Sequence, residues 1–368
     1  MKLGFGLMRL PIINNDEKQI DMEQFRAMVD DFIAAGGTYF DTAYIYHGGN
    51  SETAFKEIVV NRYDRDKFTI ANKMPMMIVR EESQLEQIFN EQLERCGVDY
   101  FDYYLLHSLT EKYIETCERI NAFDFVLKKK EQGFIKKVGF SFHDTAQVLD
   151  DLLTKHPEME FVQLQINYLD YESEQIQSRK CYEVAVKHNK PVVVMEPIKG
   201  GVLASLPENF EKVLKDRNKE ASLSSWAIRF AASLENVFMV LSGMSALQHM
   251  EDNLSYMKDF IALTEEEKNV VLEIGEAIRN YTVIACTKCK YCENNCPMGI
   301  AIAHYFELYN DYHRYGKAFL NTAIRRYNRA STDKAKASEC IHCGACEEVC
   351  PQHLQIRELL EKVAESFE

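Results

Sequence analysis

The amino-acid sequence predicts an α/β protein: a (β/α)8 TIM barrel over residues 1–262, followed by a smaller, mainly helical domain over residues 263–368. Three observations carry this prediction. Eight strand-like segments alternate with helical segments, which is typical of a parallel sheet closed into a barrel. The alternation stops at Leu263, and two cysteine runs of identical spacing follow. A chain of 368 residues has room for a barrel of about 250 residues and an appended domain.

The predicted strands are short runs rich in apolar, β-branched and aromatic residues. Residues 191–196 are almost wholly apolar, as expected of a strand that is buried on both faces. The predicted strands span residues 3–10, 38–43, 67–73, 100–107, 135–142, 161–167, 191–196 and 237–241. Helical spacing of apolar residues predicts the helices between them, near residues 21–33, 51–61, 81–95, 118–132, 144–155, 172–188, 222–233 and 245–260.

The C-terminal domain begins with a predicted linker helix. Thr264 followed by three glutamates is a capping-type helix start, and the helix extends to about Asn280. Beyond it, an aromatic and basic insert over residues 301–328 is predicted to be helical, with its arginines on a solvated face.

The two cysteine runs predict iron–sulfur clusters. They read Cys286-x2-Cys289-x2-Cys292-x3-Cys296-Pro297 and Cys340-x2-Cys343-x2-Cys346-x3-Cys350-Pro351. This is the bacterial ferredoxin spacing for [4Fe–4S] clusters, in which the fourth cysteine binds the neighbouring cluster. We therefore predict one cluster on Cys286, Cys289, Cys292 and Cys350, and a second on Cys340, Cys343, Cys346 and Cys296.

Zinc binding and disulfide bonds are the alternatives for these cysteines. Zinc sites usually combine two distant cysteine pairs, and disulfides do not suit a chain without an export signal. The other three cysteines, Cys96, Cys117 and Cys181, have no partner at ligand spacing and are predicted to be buried apolar side chains.

Three successive predicted strands end in residues suited to acid–base chemistry. These are Asp41, Lys73 and His107, and Tyr46 lies in the loop after the first of them. The carboxyl ends of barrel strands form the active-site face. A tyrosine with a pKa of about 10 is a poor acid–base group at neutral pH, so a neighbouring ammonium that lowers this pKa would help.

Each residue type suits a role in the reduction of a carbonyl. Lys73 can supply the ammonium, Asp41 can keep that ammonium charged, and His107 can hydrogen-bond the substrate oxygen. The alternative is a structural Asp41–Lys73 ion pair beside a merely buried tyrosine and histidine. Tyr44 is a rival for the acid.

This set resembles the catalytic tetrad of the aldo-keto reductase family. The resemblance rests on Phe40-Asp41-Thr42-Ala43 with Tyr46, the strand ending in Lys73 and Leu105-Leu106-His107, and covers most of residues 1–260. It implies carbonyl reduction or alcohol oxidation with a nicotinamide cofactor and Tyr46 as acid and base.

The same resemblance implies positions for the nicotinamide cofactor. Ser141 and Gln163 would hold the carboxamide, Met195 would stand at the ring-stacking position, and Asn253 would meet the adenine end. His249 stands where many members offer arginine to the 2′-phosphate, so NADPH and NADH both stay open.

Barrel architecture points independently to a phosphate site. Barrels bind phosphate with the loops after strands seven and eight, which here are Lys199-Gly200-Gly201 and Ser242-Gly243-Met244. The segment Gly4-Phe5-Gly6-Leu7-Met8-Arg9 lacks the last glycine of a dinucleotide fingerprint.

Composition excludes some partners. A net charge of −14 disfavours nucleic acid and anionic membrane surfaces, and there is no apolar stretch of membrane-spanning length. With no secretory signal and eleven cysteines, we expect a cytoplasmic protein.

The leading prediction is an iron–sulfur oxidoreductase of aldo-keto reductase type acting on a small carbonyl or alcohol substrate. Hydride transfer moves two electrons, whereas each cluster moves one. The alternatives are therefore a reductase linked to a ferredoxin or another electron carrier, with FMN as the intermediary, or a non-catalytic electron-transfer or redox-sensing scaffold.

Overall fold

The computed structural model describes residues 1–14, 16–281, 283–315 and 317–368. Eight parallel strands pair in sequence order and close into a barrel, with β8 returning to β1 through Leu3 and Val240. The predicted fold class is confirmed. The strands are β1 Leu3–Gly6, β2 Tyr39–Asp41, β3 Thr69–Met74, β4 Phe101–Leu109, β5 Ile135–Phe142, β6 Phe161–Gln165, β7 Val192–Met195 and β8 Val237–Ser242.

Helices surround the barrel and form most of the C-terminal domain. The barrel helices are α1 Met22–Ala34, α2 Asn50–Phe55, α3 Ser83–Cys96, α4 Glu111–Arg119, α5 Ala122–Glu131, α6 Ala146–Lys155, α7 Ser178–Lys187, α8 Glu208–Arg217, α9 Leu223–Ala232 and α10 Leu247–Met257. They are followed by α11 Glu265–Tyr281, α12 Tyr291–Asn294, α13 Ile302–Tyr315, α14 Lys317–Ala330, α15 Ala345–Glu348 and α16 Ile356–Phe367.

The inside of the barrel is filled by side chains from several strands. Tyr39, Leu105, Phe161, Val193 and Leu241 belong to one buried cluster there. Because inward-facing side chains of a parallel barrel pack in layers, the interior is closed, and open space is left at the carboxyl ends of the strands.

Three local predictions differ from the structure. The first strand ends at Gly6, and Leu7–Arg9 form a 3-10 turn. The helix predicted at 118–132 is α5, and the preceding α4 was not predicted; Asn121, with a φ of 55°, separates the two. Asparagine tolerates this left-handed conformation, which ends a regular helix. Helix α8 was not predicted.

The packing assigns α11 to the barrel. Its residues Val271, Ile274 and Ile278 join the main hydrophobic core, and a second core starts at Ile284. The sequence prediction set the boundary at Leu263, where the alternation ends, so by packing the boundary lies one helix later. Among the described residues, no helix is long and apolar enough to cross a membrane.

Candidate functional site

A cavity of about 390 Å³ opens at the carboxyl ends of the barrel strands. Ligand pockets for small molecules are commonly of this size. We call it the barrel cavity. Every strand except β3 contributes a residue at or near its carboxyl end, and the C-terminal domain contributes Cys289, Tyr291, Pro351 and Gln352. The cavity therefore belongs to both domains.

Asp41, Tyr46 and His107 line the barrel cavity, and Lys73 lies beneath it. Lys73 is fully buried, and its Nζ donates hydrogen bonds to Asp41 Oδ1 and to the Thr42 carbonyl, each at 2.7 Å. Burial lowers the pKa of Lys73 and raises the pKa of Asp41, and their mutual attraction opposes both shifts. The pair keeps an ammonium under the tyrosine.

Tyr46 and His107 face each other at the cavity floor. Their ring centroids lie 6.0 Å apart with an interplanar angle of 81°, and the Lys73 ammonium lies 5.1 Å from the Tyr46 ring centroid. Tyr44, the rival, points elsewhere and donates a hydrogen bond to Glu91.

The protonation of these two groups is set mainly by burial. Burial, followed by the nearby Tyr291, raises the pKa of Tyr46 well above its ordinary value. This differs from the expectation that Lys73 would lower it. Burial and Lys73 also hold the pKa of His107 well below its usual range. The floor therefore presents a neutral phenol and a neutral imidazole.

A buried polar network holds the end of β3 in place. Gln92 Nε2 donates to the Lys73 carbonyl at 3.0 Å and to Glu52 Oε1 at 3.0 Å. Asn72 Nδ2 donates to the same Glu52 oxygen at 2.8 Å. Because buried polar groups that are fully hydrogen-bonded make a site rigid, this network fixes the lysine backbone.

Most residues predicted for cofactor binding share the barrel cavity. They are Ser141, Gln163, Met195, Gly200, Gly201, Ser242, Gly243 and Asn253. Gln163 Nε2 donates to Met195 Sδ at 3.5 Å, while its Oε1 is buried with no hydrogen-bond partner among the described residues. Asn253 Nδ2 donates to Ser242 Oγ at 2.8 Å. A buried amide oxygen that has no hydrogen-bond partner can accept a hydrogen bond from the amide group of a ligand.

Lys199 is the exception. Its ammonium donates to both oxygens of Asp170, at 2.6 and 2.7 Å, and to Gln352 Oε1 at 3.0 Å. Gln352 also exchanges hydrogen bonds with Gln165 of β6, at 3.0 and 3.2 Å. The lysine predicted to meet phosphate is thus engaged at the boundary between the two domains.

Arg9 is a residue that the sequence did not single out. Among the described residues it is the only lysine or arginine that lines the barrel cavity. Its Nη2 lies 3.6 Å from Glu196 Oε1, and its side chain runs beside Gly200 and Gly243 of the two predicted phosphate loops. Burial raises the pKa of Glu196, and Arg9 opposes that shift. No motif in the sequence around Arg9 indicates that its side chain lines the cavity.

The cysteines of the C-terminal domain line two small cavities. Cys286, Cys289, Cys292 and Cys350, which we call the inner set, line the cavity nearer the barrel. Cys296, Cys340, Cys343 and Cys346, the outer set, line the other cavity together with apolar residues. The structure thus brings together the same two groups of four that the spacing predicts.

These cavities suit clusters better than single ions. Among the described residues, no three His, Cys, Asp or Glu side chains are close enough to hold one metal ion, and the cysteines are free thiols. A [4Fe–4S] cluster instead takes one thiolate at each iron, so its four ligands stand apart around a common space. Four cysteines around one small cavity fit that requirement.

The cluster loops pack tightly on the barrel. A Cβ atom at Gly200 would lie 2.4 Å from the backbone carbonyl oxygen of Thr287, so only glycine fits there. The Tyr291 hydroxyl lies 4.0 Å from Met8 Sδ. The inner cysteine loop therefore forms one wall of the barrel cavity.

Family models match both parts of the chain. The model of the aldo/keto reductase family matches residues 2–276, and that of the 4Fe–4S dicluster domain matches residues 285–354. An aldo-keto reductase of Mycobacterium avium (strain 104) is 22% identical over 247 residues, which cover 67% of this chain and 80% of that protein. The uncharacterized oxidoreductase YqkF of Bacillus subtilis (strain 168) is 22% identical over 297 residues, covering 72% and 90%.

Solved structures agree on the barrel fold. An aldo-keto reductase from Bacillus halodurans, in its holo form, has a TM-score of 0.60 at 22% identity and covers 74% of this chain and 91% of its own. One from Klebsiella pneumoniae, in complex with NADPH, has a TM-score of 0.57 at 18% identity and covers 74% and 90%.

Proposed function

Because the chain belongs to the aldo/keto reductase family and is therefore an oxidoreductase, we propose that it reduces the carbonyl of a small substrate with a nicotinamide cofactor. The observation that carries this proposal is the convergence of Asp41, Tyr46 and His107 on one cavity with Lys73 directly beneath. A merely structural ion pair would not need a tyrosine and a histidine exposed to the same space.

The proposed roles follow from protonation and position. The carbonyl oxygen accepts a hydrogen bond from the Tyr46 hydroxyl, with neutral His107 orienting the substrate. Since burial keeps the Tyr46 phenol protonated, it is suited to donate a proton to the developing alkoxide, which favours reduction. Lys73 supplies positive charge near the ring that stabilises the phenolate left behind.

The residues around the cavity fit a nicotinamide cofactor. When bound, that cofactor supplies the hydride. Ser141 and the vacant Gln163 Oε1 would hold the carboxamide, and Met195 would lie against the ring. The glycine loops at Gly200-Gly201 and Ser242-Gly243 would meet the phosphates. In this proposal Arg9 takes the place that we had predicted for the Lys199 ammonium.

Other parts of the cofactor site stay less specified. Asn253 would serve the adenine end, and His249, which also lines the cavity, leaves both NADPH and NADH as candidates. FMN was an alternative at the level of sequence. Neither the family matches nor the neighbouring structures described above name a flavin, so FMN is not part of the proposal.

The C-terminal domain would bind two [4Fe–4S] clusters, one on the inner and one on the outer cysteine set. Each cluster carries one electron at a time. A second candidate function is therefore a reductase that receives single electrons through these clusters, and the presence of Cys289 in the wall of the barrel cavity favours it. The eleven free cysteines suit a reducing compartment such as the cytoplasm.

A tyrosine substitution tests the proposed chemistry. For Tyr46→Phe we expect kcat for NADPH-dependent reduction of a probe aldehyde, such as 4-nitrobenzaldehyde, to fall by about 10²–10⁴-fold. The affinity for NADPH, measured by fluorescence titration, should stay unchanged. Tyr44→Phe is the matched control, because its hydroxyl contacts Glu91 outside the cavity. Unchanged turnover in Tyr46→Phe would exclude the proposed role.

A further inference from the structure

The two cysteine runs are repeats in structure as well as in sequence. The second begins at Cys340 and the first at Cys286, an offset of 54 residues. Short helices start at Tyr291 and at the equivalent Ala345. Positive φ values recur at equivalent positions, 57° at Lys288 and 56° at His342. Residues of one run can therefore be compared with their counterparts in the other.

Around the inner set, the residues between and after the cysteines contact the barrel. Thr287 and Gln352 are each 2% exposed. Gln352 hydrogen-bonds barrel side chains, and Cys289 and Tyr291 line the barrel cavity. This face of the C-terminal domain is covered by a redox site.

Around the outer set, the equivalent residues face solvent and are apolar. Thr287 corresponds to Ile341, which is 58% exposed, and Gln352 corresponds to Met298, which is 38% exposed. Cys289 corresponds to Cys343, an exposed thiol. Ile341, Met298 and Cys343 line the same small cavity. We call these three residues the outer face.

Charged and titratable side chains contact one another near the outer face. His342 lies 3.6 Å from Glu361, and Arg357 lies 2.8 Å from Glu347. The middle of the face is therefore apolar, with a cluster ligand at its centre. Exposed apolar patches with polar rims mark sites of protein contact, and electron-transfer contacts are characteristically small.

We propose that the outer face is the docking surface for a ferredoxin-type one-electron carrier protein. The residues around the inner set contact the proposed redox site of the barrel. The outer face is their counterpart and exposes the cluster ligand Cys343 beside the apolar Ile341 and Met298. The inner set has the polar Thr287 and Gln352 at these two positions. One electron passes between the carrier's cluster and the cluster on the outer set, so that one is oxidised and the other reduced by one electron. No bond or proton changes place. This inference rests on the proposed clusters and not on carbonyl reduction.

The experiment uses the full-length protein with both clusters loaded under anaerobic conditions. The reductants are a bacterial two-[4Fe–4S] ferredoxin, reduced beforehand and freed of excess reductant, and the small mediator methyl viologen. The double variant Ile341→Glu, Met298→Glu should be reduced by ferredoxin with a rate constant lowered by about tenfold or more, measured by stopped-flow bleaching of the clusters. Reduction by methyl viologen, and the cluster potentials from an EPR-monitored titration, should not change.

Two further variants keep the outcome interpretable. Ile341→Thr with Met298→Gln gives the outer face the residue types of the inner face without adding charge, and should show a smaller loss in the same direction. Ile261→Glu changes a large apolar side chain outside the outer face that is 73% exposed, the highest value among those that the structure describes, and this variant should behave like the original protein.

An unchanged ferredoxin rate in both double variants would overturn the proposal. So would equal loss with both reductants, since the substitutions would then act on the cluster. A concentration-dependent dimer that both double variants abolish in sedimentation would assign the face to a second copy of the chain instead. Each result is independent of aldehyde turnover.

Discussion

The barrel cavity has two walls, and different interactions hold them in place. The barrel wall consists of strand ends fixed by the Lys73–Asp41 pair and by the network around Glu52. The cluster wall consists of loops in which α12 and α15 are only four residues long. Helices of that length are not stable alone in water. The barrel wall is therefore held by buried hydrogen bonds and an ion pair, whereas we expect the cluster wall to depend on bound iron.

The largest effect should come from breaking the buried ion pair of the barrel wall. In Lys73→Met, Asp41 is left buried without its partner. We expect the free energy of unfolding to fall by about 3–5 kcal/mol, and kcat to fall by about 10²-fold or more. Urea unfolding and steady-state kinetics measure the two effects.

The control for this prediction is Lys129→Met, which removes an ion pair to Glu86 outside the cavity. It should keep full turnover. If both variants lost activity equally, the loss would reflect general destabilisation and not the removal of Lys73.

Removal of iron should destabilise the cluster wall and leave the barrel wall folded. With a chelator under oxidising conditions, we expect residues 286–292 and 340–350 to lose protection from hydrogen exchange, while strands β3 and β4 keep theirs. The cause is that metal ligation supplies folding free energy to small metal-binding domains. Equal loss of protection in both regions would contradict this difference.

Truncating Tyr291 should weaken the cluster wall without affecting the barrel wall. In Tyr291→Ala the ring that lines the cavity beside Met8 is lost, and we expect KM for the probe aldehyde to rise by about tenfold. The second cysteine run has alanine at this position, so cluster binding, followed by EPR, should persist. Tyr291→Phe is the matched control, because it keeps the ring that lines the cavity and removes only the hydroxyl.

The smallest effect concerns pH. Burial raises the pKa of Tyr46 above 10 and lowers the pKa of His107 below 6.5. A rise in pH through the neutral range therefore leaves Tyr46 protonated and His107 neutral. For aldehyde reduction, kcat/KM should be nearly flat from about pH 7 to about pH 9. A fall of tenfold within that range would show that Tyr46 titrates below 9 and that Lys73 outweighs burial.

The sequence predicted those parts of the molecule that depend on local patterns. Strand ends are marked by local patterns, so the sequence predicts Asp41, Lys73 and His107 on one face of the barrel. The cysteine grouping followed from spacing in the same way. The eight-strand barrel followed from alternation, although α4, which Asn121 separates from α5, was not predicted.

Contacts between the domains were not predictable, because no local pattern encodes them. Lys199 lies in a loop typical of a phosphate site, but Asp170 and Gln352 engage its ammonium. Gln352 follows a cysteine–proline pair and has no signal of its own, and the same is true of Tyr291. Arg9 reaches the cavity only because β1 ends early, at Gly6.

The contact between Gly200 and the Thr287 carbonyl has a consequence for protein engineering. The two backbones touch with no side chain between them, so this contact limits how closely the barrel and the cluster domain can approach each other. An iron–sulfur module of this kind could be transplanted only onto barrels that offer glycine at the same place in the loop after β7. Any larger residue there would push the fused module away from the cavity that it is meant to enclose.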